Sequence, residues 1–170
     1  MKKLLLSLIL CFGAVQISNA QTDADLVTKF LNGVVNKDVP TLLDVLHPDY
    51  HHEVDKLIAQ CDLLKFQNWN FVHAKNITTY EGRSATEYLV AMKVGLQPTD
   101  ITENVIDYST RQLVLTPSGH IFLYEVLHVA TDNGRKYVFC NADVLNITRA
   151  EQIMRENGKQ LHSKYYNGDY

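Results

Sequence analysis

The hydrophobic period of this chain changes partway along, and that change limits the fold more than any other feature. Before residue 100 apolar residues recur at helical spacing; from Glu103 onward the period is two. Leu26, Val27, Phe30, Leu31, Val34 and Val35 form one stripe, and Thr22-Asp23-Ala24-Asp25 opens it as a capping box, which predicts a helix over 24–36. Asp38 caps a second, short helix that tolerates Pro40 in its first turn. It turns Leu42, Leu43, Val45 and Leu46 inward and stops at Pro48. The run 55–66 supports one or two further helical turns. Ser84-Ala85-Thr86-Glu87 reads as another capping box and predicts a third helix with the face Ala85, Tyr88, Leu89, Met92 and Leu96.

The later half predicts strands over 103–115, 120–130 and 136–148, rich in β-branched and aromatic residues, and a last strand over 156–166. Asn133-Gly134 is a hairpin signal, and Asn157-Gly158 enters the last strand. Four consecutive strands form an antiparallel meander. A sheet this apolar needs the three helices over one face, so the expected class is α+β.

Ahead of the fold, Lys2 and Lys3 precede an apolar run over 4–15, and Ser18-Asn19-Ala20 precedes Gln21. This pattern predicts a secretory signal peptide over 1–20, too short to anchor in a bilayer. The expected organisation is that leader and a single domain over 21–170, secreted or periplasmic and free of the membrane after cleavage. Without Lys2 and Lys3, 14 basic residues face 19 acidic ones, a net charge of −5. With no long basic run, nucleic acid is not the expected partner. Cys61 and Cys140 remain, either bridged or as two buried thiols. Asn76 and Asn146 each begin Asn-Ile-Thr, a glycosylation acceptor in a eukaryotic source only.

Three local patterns share an order with a known superfamily. "FLNGVVNKDVPTLLDVLHPDYHHEV" has two helices and a Pro-Asp-Tyr exit, "EGRSATEYLVAMK" has a Gly-Arg helix start, and "ENGKQLHSKYYNGD" has a Gly-Lys closing strand. In that order and spacing they resemble the nuclear transport factor 2-like superfamily, which includes scytalone dehydratase, ketosteroid isomerase and the SnoaL-like polyketide cyclases. The resemblance implies a cone-shaped, curved antiparallel sheet covered by three N-terminal helices, a cystatin-like roll enclosing a mostly apolar pocket. The segment 55–80 is longer than the pattern expects. Members that are enzymes mostly carry out proton chemistry beside a carbonyl, or dehydrate or hydrate, without metal or cofactor.

SnoaL-like cyclases use a histidine and an aspartate in the strands that here carry His128 and Asp143, so the resemblance makes these a candidate catalytic pair. Alternation supplies a competitor. His128 shares a face with Phe122, Tyr124 and Val126, whereas Glu125 shares the more uniformly apolar face with Ile121, Leu123, Leu127 and Val129. If Glu125 looks into the core, it replaces His128 as the base. Cys140 stands where ketosteroid isomerase carries a hydrogen-bond-donating aspartate and, three residues from Asp143, faces the other way. Asp107 and Tyr108 pose the same either-or. Tyr108, Trp69 and Tyr88 are candidate aromatic walls for a ligand.

The stretch "LHPDYHHEV" gathers His47, His51 and His52 with Asp49 and Glu53. Adjacent His51 and His52 on a strand cannot chelate together, and Pro48 breaks any helix between His47 and His51, so no metal is expected. By the resemblance this is the first strand at the pocket mouth. Tyr50 then lines the entrance beside His52, a further candidate in proton transfer. Two functions follow as expectations. One is an exported SnoaL-like domain that binds a small hydrophobic molecule or pairs as a homodimer through its sheet. The other is a cofactor-free lyase, isomerase or cyclase using His52, Glu125, His128 and Asp143.

Overall fold

Thr22 closes the first turn of α1 (Asp23–Asn36) from both sides. Its hydroxyl accepts the Asp25 N–H at 3.1 Å, and the Asp25 carboxylate accepts the Thr22 N–H at 3.1 Å. The computed structural model describes residues 22–80, 82–102, 113–116, 118–140 and 145–159. Leu26, Val27, Phe30, Leu31 and Val34 form the buried stripe of α1. Asp38 then caps α2 (Val39–Val45), accepting from the Thr41 N–H at 3.2 Å and its hydroxyl at 2.6 Å. Both helices match the reading of their caps.

Past α2 the chain departs from expectation. Leu46 makes a one-residue parallel bridge to Val138, and Pro48 then starts a 3₁₀ turn, Pro48–Glu53, that runs into α3 (Val54–Leu64). The strand expected at His51 and His52 is therefore helical. Pro48 does end α2, but its fixed φ also suits the first position of the next helical turn.

The expected third helix is a strand. β1 (Phe66–Tyr80) and β2 (Arg83–Val94) form a long antiparallel hairpin turning at Gly82, whose φ is +79°. From Glu87 to Met92 every residue of β2 is buried, because both faces of the strand are covered. A strand buried on both sides loses its alternation, and its apolar residues also satisfy a helical template. Gly95 follows β2, where a Cβ would lie 2.5 Å from the Lys65 carbonyl oxygen. We expect Gly95→Ala to cost about 1–3 kcal/mol, read as a lower urea midpoint with an unchanged slope.

β4 (Ile121–Asp132) is the centre of the five-stranded antiparallel sheet. β2 pairs along one edge, while β3 (Leu113–Leu115) and β5 (Arg135–Cys140) share the other. Three register shifts along β1 bend the sheet. Asn133 at φ 48° and Gly134 at φ 81° make the expected tight turn between β4 and β5.

Of the strand expected over 136–148, β5 is described as far as Cys140, residues 141–144 lie outside the described residues, and Leu145–Glu156 is a helix, α4. Ala150, Ile153 and Met154 sit at helical spacing and bury against Leu89 and Val126. Asn157-Gly158 closes this helix, with the Asn157 N–H on the Ile153 carbonyl, instead of entering a strand. The last expected strand lies beyond the described residues from 160 on. The main core fills the space between α1–α3 and one face of the sheet, and α4 covers part of the other. Among the described residues no helix is long and apolar enough to cross a membrane.

Candidate functional site

The pleat of β4 sorts its side chains into two environments. Ile121, Leu123, Leu127 and Val129 belong to the main core under the helices, and Glu125 shares their face. Val126 packs with α4, and His128 shares that opposite face. Glu125 therefore looks into the core, as the apolar company on its side of the strand implied. Glu125 and His128 lie on opposite faces of one sheet and cannot address the same substrate atom.

Glu125 is only 8% exposed. Burial pushes its carboxyl up to about 8, so it carries its proton at pH 7. The Cys140 thiol of β5 donates to its Oε1 at 3.8 Å. Burial, reinforced by the charges of Glu125 and Glu53, raises that thiol well above its ordinary range, so it is not a ready nucleophile. Lys56, in the first turn of α3, acts on both groups in the opposite sense. The result is a neutral acid able to donate an O–H from an apolar surrounding and to release a proton slightly above neutrality.

On the other face, His128 joins a group that the sequence reading missed. Glu87 is its cross-strand neighbour, with Nε2 and Oε2 3.3 Å apart. From α4, Arg149 donates to the same carboxylate twice, Nε to Oε2 at 2.9 Å and Nη2 to Oε1 at 2.6 Å. Burial alone would raise Glu87, but the hydrogen bonds from His128 and Arg149 and their charges hold it down to about 2. The group joins β2, β4 and α4 through one ionised carboxylate. Read as a helix N-terminus, Glu87 looked like half of a capping box, which hid it.

The histidine-rich stretch disperses. His47 is buried at the sheet edge, stacked on Phe139 at 4.7 Å, with Nε2 3.3 Å from Asp132. Asp132 also receives Arg83 at 3.2 Å. His51 Nε2 lies 3.2 Å from the Leu46 carbonyl. His52, with its side chain 70% exposed, meets the neighbouring Glu53 at 3.2 Å and no other charged side chain among the described residues, an exposed setting unlike a dry acid–base site. Among the described residues no three histidine, cysteine or acidic side chains converge as a metal site.

The aromatic candidates divide as well. Trp69 donates from Nε1 to Asn32 at 3.0 Å, and Phe71 links it to Tyr88, with ring centroids 5.3 and 5.5 Å apart. Tyr50 instead packs edge-on to Phe139 at 6.0 Å. Asp143, Tyr108 and Asp107 lie outside the described residues. Cys61 and Cys140 are both buried free thiols, not a bridge. Two open grooves, of about 420 and 290 Å³, lie at the two ends of the sheet, and neither is lined by Glu125 or His128. Compared with models of known families, with curated proteins and with solved structures, the chain matches none.

Proposed function

We infer that this chain is an exported small-molecule-binding domain of the nuclear transport factor 2-like kind, with Glu125 as the polar end of its site. The observation that carries the reading is a glutamic acid only 8% exposed among the apolar side chains of the main core, on the helix-covered face of the sheet, where burial pushes its carboxyl up to about 8. A buried acid is costly, and a strongly raised carboxyl is a mark of functional sites as a class. The ligand is a small, mostly apolar molecule whose carbonyl or hydroxyl oxygen competes for the Glu125 carboxyl with the contacts that group already makes. A carboxylate ligand is disfavoured, because it would draw the proton from Glu125 or sit against a second negative charge. The order of three helices before the sheet supports the superfamily reading. Pairing through the sheet is the weaker alternative, because α4 already covers Leu89 and Val126 on the outer face.

Catalysis is the second reading, favoured by the value of about 8, which lets Glu125 give or take a proton near neutral pH. Glu125 then acts as the acid without His128, which faces the other way. Native mass spectrometry of protein purified from its own source tests the first reading. We expect an adduct that survives gentle ionisation and is lost on denaturation. Glu125→Gln keeps a donor and retains the adduct, whereas Glu125→Leu loses it. A bare mass from every preparation, or an adduct indifferent to Glu125→Leu, sinks the reading.

A further inference from the structure

The larger groove, about 420 Å³, opens where the cover of the helices ends. On the helix-covered face, each strand changes chemistry at this level. β2 passes from Val90 and Tyr88 to Thr86 and Ser84, β4 from Val129 to Thr131, and β5 from Val138 to Lys136. Asp23, the first residue of α1, forms the rim. Its carboxylate is already oriented, accepting from the Thr86 hydroxyl at 2.6 Å and from Lys136 Nζ at 2.5 Å. The Thr86 hydroxyl also lies 3.2 Å from the Asn76 amide oxygen. Among the described residues, the hydroxyls of Ser84 and Thr131 and the amide nitrogen of Asn76 take no protein partner, although all three residues line the groove.

We propose that this groove is a second binding site, for a neutral polyhydroxylated molecule such as a mono- or disaccharide. Its one carboxylate and its one ammonium are spent on each other, so the site offers no net charge to a phosphate or a metal cation. What it does offer is a mixed set of donors and acceptors at short range. A ligand hydroxyl both donates and accepts, so it can bridge a carboxylate oxygen and a neighbouring threonine without leaving either unsatisfied. The volume falls within the range of small-molecule sites, about 300–1,000 Å³. The site stands apart from Glu125, and its fate is independent of the preceding proposal.

Titration of the ¹⁵N-labelled protein with glucose, N-acetylglucosamine and maltose tests it, with sodium phosphate as the charged comparison. With at least one sugar, saturable shifts are expected at the amides of Ser84, Thr86 and Thr131, with millimolar affinity. The combined change Ser84→Ala and Thr131→Val should weaken binding about tenfold, roughly the loss of one net hydrogen bond. The spectrum of that variant reports whether it is folded, and Asn76→Ala provides a separate probe of the same wall. No saturable response to any of the sugars overturns the proposal. So does a stronger response to phosphate, or an affinity that both variants leave unchanged.

Discussion

Glu125→Gln should make the protein more stable at pH 7, by up to about 3 kcal/mol, and by more above pH 8. The folded chain holds this carboxyl at about 8, against 4.5 for the free group. Below pH 4.5 both states are protonated and Glu125 sets no pH dependence. Between 4.5 and 8 the unfolded chain releases the proton while the folded chain keeps it, so stability falls as pH rises. Above about 8 the loss levels off. At pH 7 the interval spans 2.5 units, and at about 1.4 kcal/mol per unit this is the figure above. Glutamine has nearly the same shape and no proton to lose. Urea denaturation from pH 5 to 9 should show a falling limb in the native chain that the variant lacks. The same limb in both would mean that Glu125 is ionised in the fold, and the neutral donor would go with it.

A stabilising change at a site proposed to bind a ligand separates two explanations of a buried acid. If Glu125 were only a packing element, glutamine or leucine there would improve the protein without further effect. If it donates to a ligand, Glu125→Leu should lose the adduct while the fold gains or holds stability. Stability and binding must be measured on the same preparations.

Local chemistry was readable in the sequence, and long-range chemistry was not. The caps at Thr22 and Asp38 and the Asn133-Gly134 turn each act within four residues, so their residue types announce them. Glu125 was readable for a similar reason, because its alternating neighbours on β4 are uniformly apolar. β2 was misread because burial on both faces erased its period. β1 was hidden by three register shifts and by polar residues such as Gln67, Asn68, Asn70 and Asn76. In α4 the opening Leu145 and Ile147 continue the β-like composition of β5, and only the spacing of Ala150, Ile153 and Met154 carries the helix. The Glu87–Arg149 contact spans 62 positions, and no local pattern points to it. Of the histidine cluster, the sequence showed the density but not the dispersal, which depends on the turn that Pro48 starts.

Glu87→Ala should be the most damaging single change on the outer face, costing about 3–5 kcal/mol at pH 7. It removes the only acceptor seen for the Arg149 guanidinium among the described residues and leaves His128 without its carboxylate. Arg149 is the more buried of two polar ties of α4 to the sheet, the other being the exposed Lys75–Glu156 pair at 3.7 Å, and the apolar contact there is small, chiefly Ala150, Ile153 and Met154 on Leu89 and Val126. Amide exchange should therefore accelerate first in α4, before the β1–β2 hairpin. Acid gives an independent reading with the opposite sign to Glu125. Glu87 lies at about 2 in the fold against 4.5 when free. Its stabilisation is complete above 4.5 and is lost as pH falls through about 2, an interval worth about 3 kcal/mol. Glu87→Gln should flatten that acid limb and leave the behaviour between pH 5 and 9 to Glu125. A double-mutant cycle with Arg149→Ala should give a coupling of at least 1 kcal/mol. Additive effects, or an acid limb unchanged in Glu87→Gln, would show that apolar packing alone holds α4, and the outer face would then be open to a partner at little cost.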